Sequence, residues 1–197
     1  MPLIDQPRFF VNQKAKLIEL TNEYRILDEA GAEIGVIRQE GQSKLKKMAR
    51  LVSRLDQFMT HTLAVYEPDG TKVVQLTRPR KLLKSRLQVT DGGGVPVGTI
   101  AQENVVGKKR FALTGNAGEV LGAINAENWR SWDFRIEDAQ GGEVGRITKK
   151  WAGAGRELFT TADNYMVEVS EQVTGPLRLL ALAAAAGVDT ALKQDSG

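Results

Sequence analysis

The sequence predicts a mainly β protein, a closed antiparallel barrel of about twelve strands that encloses a hydrophobic C-terminal α-helix. Three observations carry this: a hairpin pattern that recurs five times, a glycine repeated at one place within it, and a closing apolar segment too short to span a bilayer. The chain has 197 residues, of which 42% are hydrophobic and 26% charged, enough for a single domain over 1–197 with its own core.

A first strand is expected around Lys16 to Leu20. The first hairpin is "YRILDEAGAEIGVIRQE" (Tyr24 to Glu40): alternating apolar residues, an acid and a glycine, then a second apolar run. The layout returns in "HTLAVYEPDGTKVVQLTRP" (His61 to Pro79), "RLQVTDGGGVPVGTIAQE" (Arg86 to Glu103), "RFALTGNAGEVLGAINAE" (Arg110 to Glu127) and "DFRIEDAQGGEVGRITKKW" (Asp133 to Trp151). Period-two alternation gives each strand one buried face, and "EPDGT", "DGGG" and "GNAG" supply residues that accept positive φ in tight turns. Gly35, Gly98, Gly122 and Gly145 recur in the second strand of four hairpins, where a glycine marks a bend, a bulge or a close backbone approach. Ten hairpin strands, the strand near Lys16 and another at Tyr165 to Val169 make about twelve. A sheet of that size curls, splits or closes, and closure removes both edges.

The last element is a helix over 175–193. Its uninterrupted apolar run, Leu179 to Val188, is too short for the roughly 20 residues a bilayer demands. Being apolar all round, it belongs in a core. At about 28 Å it matches strands about 20 Å long, so its apolar middle fits within a barrel while Arg178, Asp189 and Lys193 reach the mouths. The small residues Ala183 to Gly187 suit a narrow bore.

There is no cysteine, which excludes disulfides, thiolate metal sites and thioester lipid anchors. The N-terminus lacks the apolar core of a signal peptide, so cytoplasmic residence is expected. With His61 the only histidine, and neither a nucleophile elbow nor a P-loop in view, no catalytic chemistry is expected. The net charge of +3 is unevenly spread. "SKLKKMARLVSR" (Ser43 to Arg54) and "RPRKLLKSR" (Arg78 to Arg86) together hold ten Lys and Arg and no acid, which leaves −7 for the rest. Such islands attract phosphate on lipid or nucleic acid.

The chain resembles the phospholipid scramblase and LURP-one-related group, whose fold is shared with the tubby C-terminal domain. The resemblance runs from "FFVNQKAKLIEL" through "LTRP" and "GVPVGTI" to the closing helix, and is most specific in "GRITKKWAGAGRELFTTADNYMVEV". It implies a tubby-like twelve-stranded barrel around a hydrophobic helix and phospholipid handling at membranes, with calcium in the eukaryotic scramblases. Three departures matter. The calcium segment reads "TADNYMVEVSEQVTG", with Thr161, Tyr165 and Gln172 at positions where the family pattern has better ligands, so Asp163 and Asn164, even with Glu168 or Glu171, fall short of six to eight oxygens. The palmitoylated cysteines and proline-rich extension of the animal proteins are absent. The closing helix is Ala-rich, without bulky aromatics.

"KLKKMARLVSRL" places Leu45, Met48, Val52 and Leu55 at helical spacing, with Lys44, Lys46, Lys47, Arg50 and Arg54 largely elsewhere on the surface. This suits an amphipathic helix at anionic headgroups, or a connecting helix with solvated charges. In "TRPRKLLKSR", Pro79 interrupts pairing, and Arg78, Arg80, Lys81, Lys84 and Arg86 suit a phosphate-binding loop or a solvated one. Trp129, Trp132 and Trp151 fit a membrane interface or packing against the barrel. Asp163 and Asn164 fit a brace before the last strand better than a metal site. The expected function is a non-enzymatic domain, without cofactor, that binds phospholipid headgroups or sits peripherally on an anionic membrane. The alternatives are a module for a protein partner, with nucleic acid unsupported, and true lipid scrambling.

Overall fold

The computed structural model describes residues 1–12, 23–40, 61–79, 86–104, 109–128, 133–149 and 164–192. Five hairpins form where the pattern sets them. They comprise β2 (Glu23–Leu27) and β3 (Glu33–Glu40), β4 (His61–Tyr66) and β5 (Lys72–Arg78), β6 (Arg86–Asp91) and β7 (Pro96–Gln102), β8 (Arg110–Gly115) and β9 (Val120–Asn128), and β10 (Asp133–Asp138) and β11 (Glu143–Thr148). β12 (Asn164–Val169) follows, and β1 (Arg8–Asn12) pairs with both β12 and β2. All neighbours are antiparallel and the barrel closes in the order β1-β12-β11-β10-β9-β8-β7-β6-β5-β4-β3-β2. The first strand is therefore Arg8–Asn12; the expected strand at Lys16 to Leu20 lies outside the described residues.

Each hairpin closes by one device. In the first, Asp28 N donates to Ala32 O and Gly31 N to Asp28 O, while the Asp28 carboxylate accepts from the amides of Ala30 and Ala32. The fourth turn residue lies at positive φ, as in Gly118 at 91°, a conformation glycine adopts without strain. Next to the turn the register slips by one residue in all five hairpins, leaving Ile34, Val73, Val97, Leu121 and Val144 as the extra, bulged residue. These five apolar side chains pack on the core. The recurrent glycine sits one residue beyond each bulge in four hairpins, with Val74 in the fifth. It marks a close approach to the following strand: a Cβ at Gly35 would lie 2.8 Å from Tyr66 O, and one at Gly98 would overlap Thr114 O.

The bore is filled by α1 (Gly175–Leu192). Leu180 through Ala186 are all at most 4% exposed, so every face of this stretch is covered. Helix and wall meet closely; a Cβ at Gly187 would stand 3.0 Å from Leu87 Cδ1 and 3.1 Å from Leu76 Cδ2. From the wall, the Tyr165 hydroxyl donates to Ala185 O at 2.6 Å.

Candidate functional site

Strand polarity sorts the connections into two sets. Even-numbered strands run toward the end holding the tight turns and the start of α1, here the hairpin end. Odd-numbered strands finish at the other, the connection end. Segments 28–32, 67–71, 91–95, 115–119, 138–142 and 170–174 belong to the hairpin end; they carry eight Asp or Glu and no Lys or Arg. Segments 13–22, 41–60, 79–85, 103–109, 129–132 and 149–163 leave from and return to strand termini at the connection end. They carry sixteen Lys or Arg against five acids. By sequence and strand attachment the chain thus has a charge axis, with acids in the hairpin turns and most of these cations in the segments that join strand termini at the other end.

Both basic islands fall in this second set, attached to neighbouring strands. Residues 41–60 join β3 to β4, and 79–85 join β5 to β6. Of the site residues, Lys44, Lys46, Lys47, Arg50, Arg54, Arg80, Lys81 and Lys84 lie outside the described residues, as do Trp129, Trp132 and Trp151. Arg86 is exposed at the start of β6. Arg78 is only 4% exposed, ending β5 on the face that buries Val74 and Leu76, so its guanidinium is turned into the barrel wall. Further round the barrel, a cleft of about 370 Å³ is lined by Lys109, Arg110, Asn125, Glu127 and Arg135 among others. Two of its arginines are already matched, Arg110 with Glu103 at 2.7 Å and Arg135 with Glu127 at 3.1 Å.

The strands that bracket the islands are pinned on their outer side. Tyr66 OH donates to Glu40 Oε1, and Lys72 Nζ stands 3.0 Å from the same oxygen. Arg38 and Lys72 lie 5.5 and 5.7 Å from the centre of the Tyr66 ring. Burial pushes the Glu40 carboxyl up, but the hydrogen bonds from Tyr66 and Lys72 and the charge of Lys72 outweigh it, leaving the pKa below its ordinary value. The network ties β3, β4 and β5 together, with Glu40 the last residue of the strand that precedes the first island.

Of the residues weighed for calcium, those described have other surroundings or partners. Asn164 opens β12 and is 2% exposed, and Asp163 lies outside the described residues. Tyr165 turns inward to α1, and Glu168 engages Arg8 at 2.5 Å. At about 3.3 Å per residue along the strand, Glu168 stands on the order of 13 Å from Asn164, and Glu171 lies beyond the strand in the turn at the hairpin end.

A closed antiparallel barrel of twelve strands threaded by its own C-terminal helix defines the structural class of this chain. The Scramblase family model matches residues 2–192, and the chain belongs to that family. It is 26% identical over 185 residues to a phospholipid scramblase family protein of Schizosaccharomyces pombe, covering 84% of this chain and 47% of that protein. It is 23% identical over 200 residues to the altered inheritance rate of mitochondria protein 25 of Saccharomyces cerevisiae, covering 86% and 60% respectively. The chain thus spans about half to three fifths of the length of these relatives. Among the described residues no helix is long and apolar enough to cross a membrane.

Proposed function

We propose that this chain is a peripheral phospholipid-binding domain that meets an anionic membrane surface with the connection end of its barrel. The observation that carries this is the charge axis: sixteen cations against five acids in the connections at one end, eight acids and no cation in the turns at the other. Near an anionic leaflet each Lys or Arg contributes up to about 1 kcal/mol, and acids at the same surface are repelled, so one orientation is favoured strongly over its reverse. Membership of the scramblase family supports phospholipid as the anion rather than nucleic acid. The barrel acts as a binding scaffold rather than a catalyst, uses no cofactor, and works at the cytoplasmic leaflet.

The test is co-sedimentation of the purified chain with neutral and with phosphatidylserine-containing vesicles, at low and physiological salt, with and without calcium. Binding confined to anionic vesicles, weakened by salt and indifferent to calcium, is the expected result. Absence of binding in every condition overturns the membrane function and points to a protein partner instead.

A further inference from the structure

We propose that residues 3–7 form a clasp across the mouth through which α1 enters the barrel, and that Arg178 couples the closing of that clasp to the seating of the helix. The inference concerns the hairpin end and stands independently of what the other end binds.

Arg178 lies in the first turn of α1, where the helix macrodipole is positive and a cation is disfavoured, and it is only 6% exposed. Burial pushes its pKa down from the ordinary arginine value, with Asp5 and then Glu171 acting against that. A guanidinium remains charged even so, and a buried charge demands partners. They come from two segments, the N-terminal one and the end of β12. Nε donates to Ile4 O at 2.5 Å, Nη2 to Gln6 O at 2.8 Å, and Nη1 to Ser170 O at 2.8 Å and Val169 O at 3.5 Å. The planar fork of arginine spans helix, strand end and N-terminal segment at once, which a lysine ammonium does not reproduce.

The N-terminal segment is shaped to be held. Residues Leu3–Asp5 make a single 3-10 turn, with Asp5 N donating to Pro2 O and Gln6 N to Leu3 O. Leu3 is 2% exposed and belongs to the core; its amide donates to Glu67 Oε1 at 2.9 Å, and its Cδ2 fits where Gly35 lacks a side chain. Val169 N donates to Pro7 O at 2.9 Å. If the clasp opens, Arg178 is left buried without two of its carbonyls; if the helix withdraws, Ile4 O and Gln6 O lose their donor. Coupling of this kind is reciprocal, so loosening either side loosens the other.

Amide hydrogen exchange on the full chain tests this, with Leu3→Ala loosening the clasp where it packs on the wall, without altering Arg178, and Arg178→Lys and Arg178→Gln acting on the link. Expected are exchange rates in 180–186 that rise roughly tenfold or more in Leu3→Ala while β8 to β10, across the barrel, change much less. Arg178→Gln should free both the clasp and α1, with Arg178→Lys intermediate. Faster exchange in residues 3–7 with α1 unchanged overturns the coupling. So does a uniform rise in every element, because that reports general destabilisation. Leu3→Ala keeps the test decisive should Arg178→Gln fail to fold.

Discussion

Replacing Ala183 by leucine tests whether α1 fills the bore. Ala183 is 0% exposed at the middle of the buried stretch, with Leu182 and Ala184 beside it at 4% and 1%. Twelve paired strands enclose it with no edge to spread, and the wall already stands within 3.0 to 3.1 Å of where a Cβ on Gly187 would go. Three added carbons must therefore displace strand side chains or push the helix off its axis. Overpacking of a closed core costs about 1 to 3 kcal/mol. For a chain of this size, that lowers the melting midpoint by roughly 2 to 12 °C. The assay is urea and thermal unfolding followed by circular dichroism, with an unchanged urea m-value as the control for a common unfolded state. On an exposed helix the same change falls within about 0.5 kcal/mol of neutral. An Ala183→Leu protein as stable as the parent, or more so, would refute the buried position of the helix.

The complementary cavity in Leu180→Ala, at a residue 0% exposed, should lower stability by about 3 to 5 kcal/mol in the same unfolding experiment. Gly98→Ala, which forces a Cβ onto Thr114 O, should lower it by about 1 to 3 kcal/mol although only one methyl is added. Because the folded-state pKa of Glu40 is depressed, its contribution is present above the unfolded value near 4.3 and is lost as pH falls through the lower folded value. Urea midpoints should therefore show Glu40→Gln less stable than the parent at pH 7 by about 0.5 to 1 kcal/mol, the gap closing in acid. Charge reversal at Lys46, Lys47, Arg80 and Lys81 should abolish co-sedimentation with anionic vesicles while leaving the melting midpoint in place.

The five hairpins were legible because one local device, an acid or glycine turn followed by a bulge and, in four of them, a glycine, repeats along the chain. β1 was not. "RFFVN" shows no alternation, since Phe9, Phe10 and Val11 are all buried: Phe9 and Val11 face the main core, while Phe10 packs with Met166 and Leu27 in a separate cluster. No turn motif announces it either, and its partners β12 and β2 come from opposite ends of the chain. The charge axis needed topology as well as sequence. Both islands were visible as runs of Lys and Arg, but only strand polarity assigns them to one end and the acidic turns to the other. Arg178 was legible as a residue at a barrel mouth; its partnership with Ile4 and Gln6, more than 170 residues away, was not.

The most direct test of the charge axis attaches a polarity-sensitive fluorophore to a single introduced cysteine, Ser85→Cys beside the second island or Gln140→Cys at a hairpin turn, in a chain that has no cysteine of its own. Bound to phosphatidylserine vesicles carrying a quencher in the headgroup region, the probe at 85 should be quenched and blue-shifted while the probe at 140 behaves as in free solution. Equal quenching at both positions, or quenching at 140 alone, would contradict the orientation and with it the function assigned to the basic end.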